Sequence, residues 1–305
     1  MEKWDKQLDR SSKLLALLYS TLITAPVYGL LGNAYYIDFL NGFAFLGALL
    51  VVMVIALIFL IIFRKNKFKR LTTTLVIVFA LLFWGYEAQL LSYESHSYNA
   101  DGYRDPEELL EGSGIHILVV GLHDIHYLED EEWIRNTYEK NGIQILDMYK
   151  IRNRDRYRSK TTGLKHFFGF GKEKDAFQVM GENVRNYIDE DNIYINEFLS
   201  RESLSGDSAG LALSLTAMIH QGNLENELPI GITGTLEPNG DVMQVGGIKA
   251  KMMIAEQNDF PVIIIPLANK EEAETVKSQQ ELTIEILAVS HIDEAALAIE
   301  ELNAE

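Results

Sequence analysis

Gly206-Asp207-Ser208-Ala209-Gly210 sets a serine between glycines, and 41 positions later Lys249 stands in Gly246-Gly247-Ile248-Lys249-Ala250-Lys251. Ile232-Thr233-Gly234 lies between the two. A serine hydroxyl attacks a carbonyl only when a neighbouring base takes its proton, and a lysine amine serves once burial lowers its pKa towards neutrality. Serine and lysine together therefore point to nucleophilic hydrolysis. The apolar spacing of Ser208 to His220 predicts a helix starting at or beside the serine, with Gly222 to stop it. Its free N–H groups and positive dipole end would favour an oxyanion forming at Ser208.

In order and spacing, Gly206 to Gly210, Ile232 to Gly234 and Gly246 to Lys251 resemble the proteolytic domain of the Lon (S16) serine peptidases. The resemblance covers about residues 107 to 305 and is strongest over 203 to 267. It implies a Ser/Lys dyad of Ser208 and Lys249, with Thr233 beside the amine and Lys251 left as an ordinary solvated side chain. Asp207 departs from the proline of the best-known branch, and another branch carries aspartate there. Unlike proline, Asp207 brings a backbone N–H close to the oxyanion. Its carboxylate either pairs with Lys249, raising the amine's pKa, or caps the helix that follows. The resemblance also implies protein or peptide substrates and a ring-forming homo-oligomer.

The same five residues satisfy the Gly-x-Ser-x-Gly elbow of α/β-hydrolases, and Asp259 and His291 follow in the order such a triad needs. An elbow serine ends a buried strand, however, and Ser200 to Ser205 is too polar for one, and no His-Gly-Gly-Gly element is present. A third reading is a catalytically silent module that docks peptides in the groove of a former active site. No Gly-x-x-x-x-Gly-Lys-Ser/Thr phosphate loop occurs, so ATP-driven unfolding is not expected of these residues. Without cysteine there are no disulfides or thiolate metal sites, and His123 and His126 lack a further ligand cluster, so neither metal nor cofactor is expected.

Three apolar runs precede this chemistry: Leu14 to Leu31, Phe39 to Phe63 and Leu71 to Leu91. Each is about the 17 to 25 residues needed to cross a bilayer as a helix. Pro26 and Gly29 interrupt the first, which could also be taken for a signal peptide, and Glu87 sits near the end of the third. The basic N-terminus and the Arg64 to Arg70 cluster are expected in the cytoplasm, and Tyr35 to Asp38, without Lys or Arg, outside. Three spans then place the remainder outside. After residue 92 the chain holds 18 basic against 39 acidic side chains, which suits a soluble external domain and not a nucleic-acid surface.

The expected organisation is a membrane anchor at 1–92, a polar linker at 93–106 (YESHSYNADGYRDP) and an α+β protease domain at 107–305. Strands are expected at Ile115 to Val120, Ile143 to Met148, Ile193 to Phe198, Ile230 to Leu236, Val262 to Pro266 and Leu282 to Val289. Helices are expected over Glu129 to Asn141, Ala176 to Tyr187, Ile248 to Asn258, Lys270 to Lys277 and Ile292 to Asn303. Arg152 to Lys174, basic and unpatterned, reads as a solvated loop whose Phe167, Phe168 and Phe170 pack in the core or touch lipid or unfolded substrate. Together these features describe a membrane-anchored, ATP-independent serine endopeptidase facing the cell exterior.

Overall fold

A computed structural model describes residues 9–126, 130–167, 175–187, 192–202 and 204–304. The chain divides into two compact units, Met1–Tyr98 with Lys150–Gly171, and Asn99–Tyr149 with Lys172–Glu305.

In the first unit the apolar runs form α1 (Arg10–Tyr36), α2 (Gly42–Ile62) and α3 (Lys67–Glu87). Asp9, Asn41 and Asn66 cap them, each accepting from a backbone N–H in the first turn. All three are long and apolar enough to cross a membrane, and Pro26 lies inside α1 without ending it. The buried positions of α1 and α3 include small residues, Ala16, Ser20 and Thr24 on α1 and Thr73 and Ala80 on α3, which let backbones approach, whereas α2 buries Phe45, Leu46, Leu49 and Met53. Large apolar side chains such as Leu22, Leu30, Phe43 and Ile61 face outward, the arrangement a lipid solvent favours and water penalises.

A short helix α4 (Leu90–Tyr93) follows, and a later helix, α6 (Asn153–Phe167), joins this unit. The loop expected at 152–174 is thus helical over 153–167; Phe168 and Phe170 lie outside the described residues. The inward face of α6 is polar, so hydrophobic periodicity could not mark it. Asn153 donates to the carbonyls of Tyr35 and Leu40 at 2.8 and 2.7 Å, and its N–H donates to Asp38 at 2.8 Å. Two turns on, fully buried Lys160 donates to fully buried Glu87 at 2.6 Å, and the Tyr28 and Tyr157 hydroxyls also reach the Glu87 carboxylate.

The second unit is built on a five-stranded sheet of order β10-β9-β6-β3-β2: Glu285–Val289, Val262–Pro266, Ile230–Ile232, Ile115–Ile117 and Glu107–Glu108. The first four strands run parallel and β2 is antiparallel. Ile263 and Ile265 pack under α10 (Ile248–Gln257) and α11 (Lys270–Gln280). Val262 and Ile264 face the opposite core, shared with α7 (Ala176–Val184), α8 (Ile193–Leu199), α9 (Gly210–His220) and α12 (Ile292–Ala304). A sheet buried on both faces explains the unbroken apolar run of β9. The expected mixture of helix and strand is present, and helices cover both sides of a mainly parallel sheet.

A second sheet, β4-β1-β5, comprises Gly121–His126, His96–Gly102 and Ile145–Lys150, with α5 (Glu131–Lys140) between β4 and β5 in sequence. Its central strand occupies the segment read as a linker. Asn, Asp and Gly in that segment signal a turn locally, and pairing on both sides overrides them. Ile193 to Phe198 is likewise helical and not a strand: Asn192 accepts from Ile195 N–H, and Asn192, Ile195 and Phe198 bury one helical face. β7 (Thr235–Leu236) and β8 (Val242–Met243) form a small hairpin beside α9.

Candidate active site

Ser208 sits on the turn that feeds α9. Gly206 opens it with φ +88°, a backbone state that side chains disfavour. Asp207 contributes its carbonyl, which accepts from Gly210 N–H at 3.2 Å. The N-cap position belongs to Ala209, which makes no side-chain capping bond. The carbonyl of Ser208 is anchored twice, by Gly234 N–H at 2.8 Å and by the Thr233 hydroxyl at 3.2 Å, while Leu211 N–H bonds Gly234 O at 3.0 Å. Thr233 itself is fixed from β9, donating its N–H to Ile264 O at 3.0 Å. Gly234 is close-packed, since a Cβ there would stand 2.9 Å from Val242 Cγ1.

The amine beside Thr233 belongs to Lys251. Its Nζ donates to Thr233 Oγ1 at 2.9 Å, and the residue is only 4% exposed. Burial pulls its pKa down to about 8, against the charges of Asp207, Asp101 and Glu272, which favour the ammonium. Lys249 lies elsewhere: its Nζ bonds Asp147 Oδ1 at 2.7 Å, and both side chains are about a third exposed. Of the two alternatives for Asp207, pairing with Lys249 or capping the helix, neither is found, and its charge acts on Lys251. The amine expected beside Thr233 was that of Lys249, and the structure places Lys251 there instead. The reason is helical geometry. Gly247, at φ +70°, caps α10, and two residues along a helix turn the side chain through about 200°, so only one of the lysines can point inward. Ile248, Ala250, Lys251, Met252, Ile254 and Ala255 are buried, a broad face with Lys251 within it and Lys249 outside it.

Ser208, Lys251, Lys249, Asp207 and Gly206 all line one cavity of about 460 Å³. Asp101 and Asp147 of the second sheet also border it, as do Phe177, Phe198 and Leu204. Asp101 was invisible in the sequence because its segment read as a linker. It is 5% exposed, and burial first, then Asp147, pushes its carboxyl up. His291 and Asp259 do not line this cavity: His291 bonds Asn239 O at 3.0 Å and Asp293, and Asp259 sits at φ 56° just past the end of α10. The hydrolase triad is therefore not assembled. His123 packs edge-on against Tyr138.

Ser208 on a helix-opening turn and the buried amine of Lys251 thus line one cleft. Residues 187–300 match the family model of the Lon protease (S16) C-terminal proteolytic domain, so a Lon-type serine protease domain is supported. Among curated relatives, the Lon protease of Neorickettsia sennetsu is 27% identical over 93 residues, 30% of this chain and 11% of the relative. The archaeal Lon proteases of Pyrococcus abyssi and Thermococcus kodakarensis are 28% and 27% identical over 114 and 125 residues. Those alignments take in 37% and 40% of this chain, and 11% and 20% of the relatives. The chain thus spans a small part of the relatives it matches.

Proposed function

We propose that this chain is a membrane-anchored serine endopeptidase that works without ATP on the extracytoplasmic side, with Ser208 as nucleophile and Lys251 as general base. The observation that carries the mechanism is the burial of Lys251 against Thr233, whose hydroxyl is in turn bound to the carbonyl of Ser208. One N–H of the amine is committed to Thr233, and its lone pair is left to take the Ser208 hydroxyl proton. Ser208 Oγ then bonds to the substrate carbonyl carbon, and the developing oxyanion lies near the amino end of α9. The lysine ammonium returns the proton to the leaving amine, and water releases the acyl group by the same route.

Thr233 is the positioning residue in this scheme, Gly206 shapes the turn, and Asp207 acts on Lys251 by charge. The apolar wall of Phe177, Phe198 and Leu204 suits extended, unfolded segments. The substrates proposed are flexible or misfolded proteins near the bilayer. Lipid contact through α1–α3 and a ring of copies belong to the same reading.

Full-length protein purified in detergent is expected to cleave an unfolded protein with no nucleotide or metal added, and Ser208→Ala to abolish cleavage. Hydrolysis surviving in Ser208→Ala would remove the serine mechanism, whereas peptide binding without hydrolysis in the unaltered chain would leave a docking module. Topology is tested separately. The Arg64 to Arg70 cluster motivates the expectation that protease added to intact cells digests the region after residue 92. Protection of that region until the membrane is opened would reverse the orientation.

A further inference from the structure

Six of the 18 basic side chains that follow residue 92 fall between Arg152 and Lys165, in and just before α6, with Asp155 the one acid among them. In so acidic a region this helix is an exception. Its placement within the first unit says where the charge lies. Among the described residues, α6 is bonded to one end of the three long helices, at Tyr35 in the last turn of α1, Asp38 and Leu40 in the connection to α2, Glu87 at the end of α3 and Tyr93 just beyond it, and Arg156 also donates to the carbonyl of His96 at the start of β1. That end also carries Tyr36 and Tyr86, exposed amphipathic aromatics of the kind that settle at the level of lipid headgroups.

The rotation of α6 is fixed as well. With Asn153, Arg156, Tyr157 and Lys160 turned towards the other helices and bonded there, Arg154 and Arg158, one turn apart, remain exposed on a common stripe. Arg152 is exposed just ahead of the helix. A guanidinium presents parallel N–H donors that match two oxygens of a phosphodiester. We propose that α6 is an interfacial helix that binds anionic phospholipid headgroups through Arg154 and Arg158, with Arg152 adding charge. The inference rests on the reading of α1–α3 as membrane spans. It gives the protease a preference for membranes, or regions of membrane, rich in acidic lipid.

The chain contains no cysteine, so Thr162→Cys, exposed and one turn past Arg158, offers a single attachment point for a fluorophore. Full-length labelled protein is reconstituted in phosphatidylcholine vesicles that contain a nitroxide quencher near the headgroup, carried either on phosphatidylglycerol or on phosphatidylcholine. At low salt the anionic quencher is expected to be several-fold more effective, on the scale of about fivefold per arginine near a charged surface. The preference should fall to parity in Arg154→Gln/Arg158→Gln, which leaves the Arg64 to Arg70 loop intact, and should shrink at high salt. Parity in the unaltered chain, a preference that survives the double substitution, or quenching by neither lipid would overturn the proposal. Inorganic phosphate that abolishes the preference beyond chloride of equal ionic strength would also overturn it, by showing a free-anion site. Alkaline carbonate extraction distinguishes failure of the underlying reading: a chain stripped from the vesicles does not span them, and one that stays in them does.

Discussion

Replacing Lys251 by methionine is expected to remove nearly all peptide-bond hydrolysis, and replacing Lys249 by methionine to leave most of it. Loss of a general base costs on the order of 10²- to 10⁴-fold in kcat. A partly exposed ion pair such as Lys249–Asp147 contributes about 1 kcal/mol, so its loss reaches catalysis indirectly if at all. The Ser208→Ala and Lys251→Met losses should not add, because members of one catalytic unit fail together. The pH profile gives an independent check. The amine acts as base only when neutral, so activity should rise with pH through a midpoint near 8. The negative charge of Asp207 holds that midpoint up, and Asp207→Asn should shift it down, raising activity at neutral pH. An inactive Lys249→Met beside an active Lys251→Met would transfer the role of base to Lys249.

The second large effect lies in the first unit. Glu87 and Lys160 are both fully buried and bonded at 2.6 Å, with Lys160 also lying 3.9 Å from the ring centroid of Tyr86 and 4.1 Å from that of Tyr157. Removing one partner leaves a buried charge without compensation, a loss of about 3 to 5 kcal/mol. Lys160→Met and Glu87→Gln should each lower the melting temperature of the detergent-solubilised chain and expose residues 150–167 to added protease. The double substitution should recover much of the loss, because it removes both charges together. Single variants that melt like the unaltered protein would show that α6 is held by Asn153 and Arg156 instead.

The three long apolar helices, the serine turn and the strands of the parallel sheet were legible because each is written locally: apolar length for α1–α3, glycine at the turn, β-branched runs for β3, β6 and β9. What failed had its cause at a distance. Lys249 and Lys251 look equivalent after two glycines, and only the helical face chooses between them. A signal for that choice was present. Ile248, Met252 and Ala255 share one stripe at intervals of four and three, and Lys251 stands on that stripe while Lys249 does not. A lysine is ordinarily solvated, and that general tendency masks the buried position of Lys251. The linker expectation for 93–106 and the loop expectation for 152–174 failed for the opposite reason. In β1 and α6 polar side chains are buried against partners far along the chain, and no periodicity of apolar residues records such contacts. The strand expected at Ile193 yielded to a cap, Asn192, three residues before the N–H it accepts.

The burial of Lys251 ties the conformational stability of the domain to the proton it gives up. Below about pH 8 the amine is charged in both the folded and the unfolded chain, and the fold bears the full cost of holding that charge away from water. Between about 8 and the ordinary lysine value of 10.5 the folded form has shed the proton and the unfolded form still binds it, so this contribution grows more favourable as pH rises. Catalytic competence and this contribution to stability therefore climb over adjoining ranges of alkalinity, the first around pH 8 and the second above it, driven by one titration.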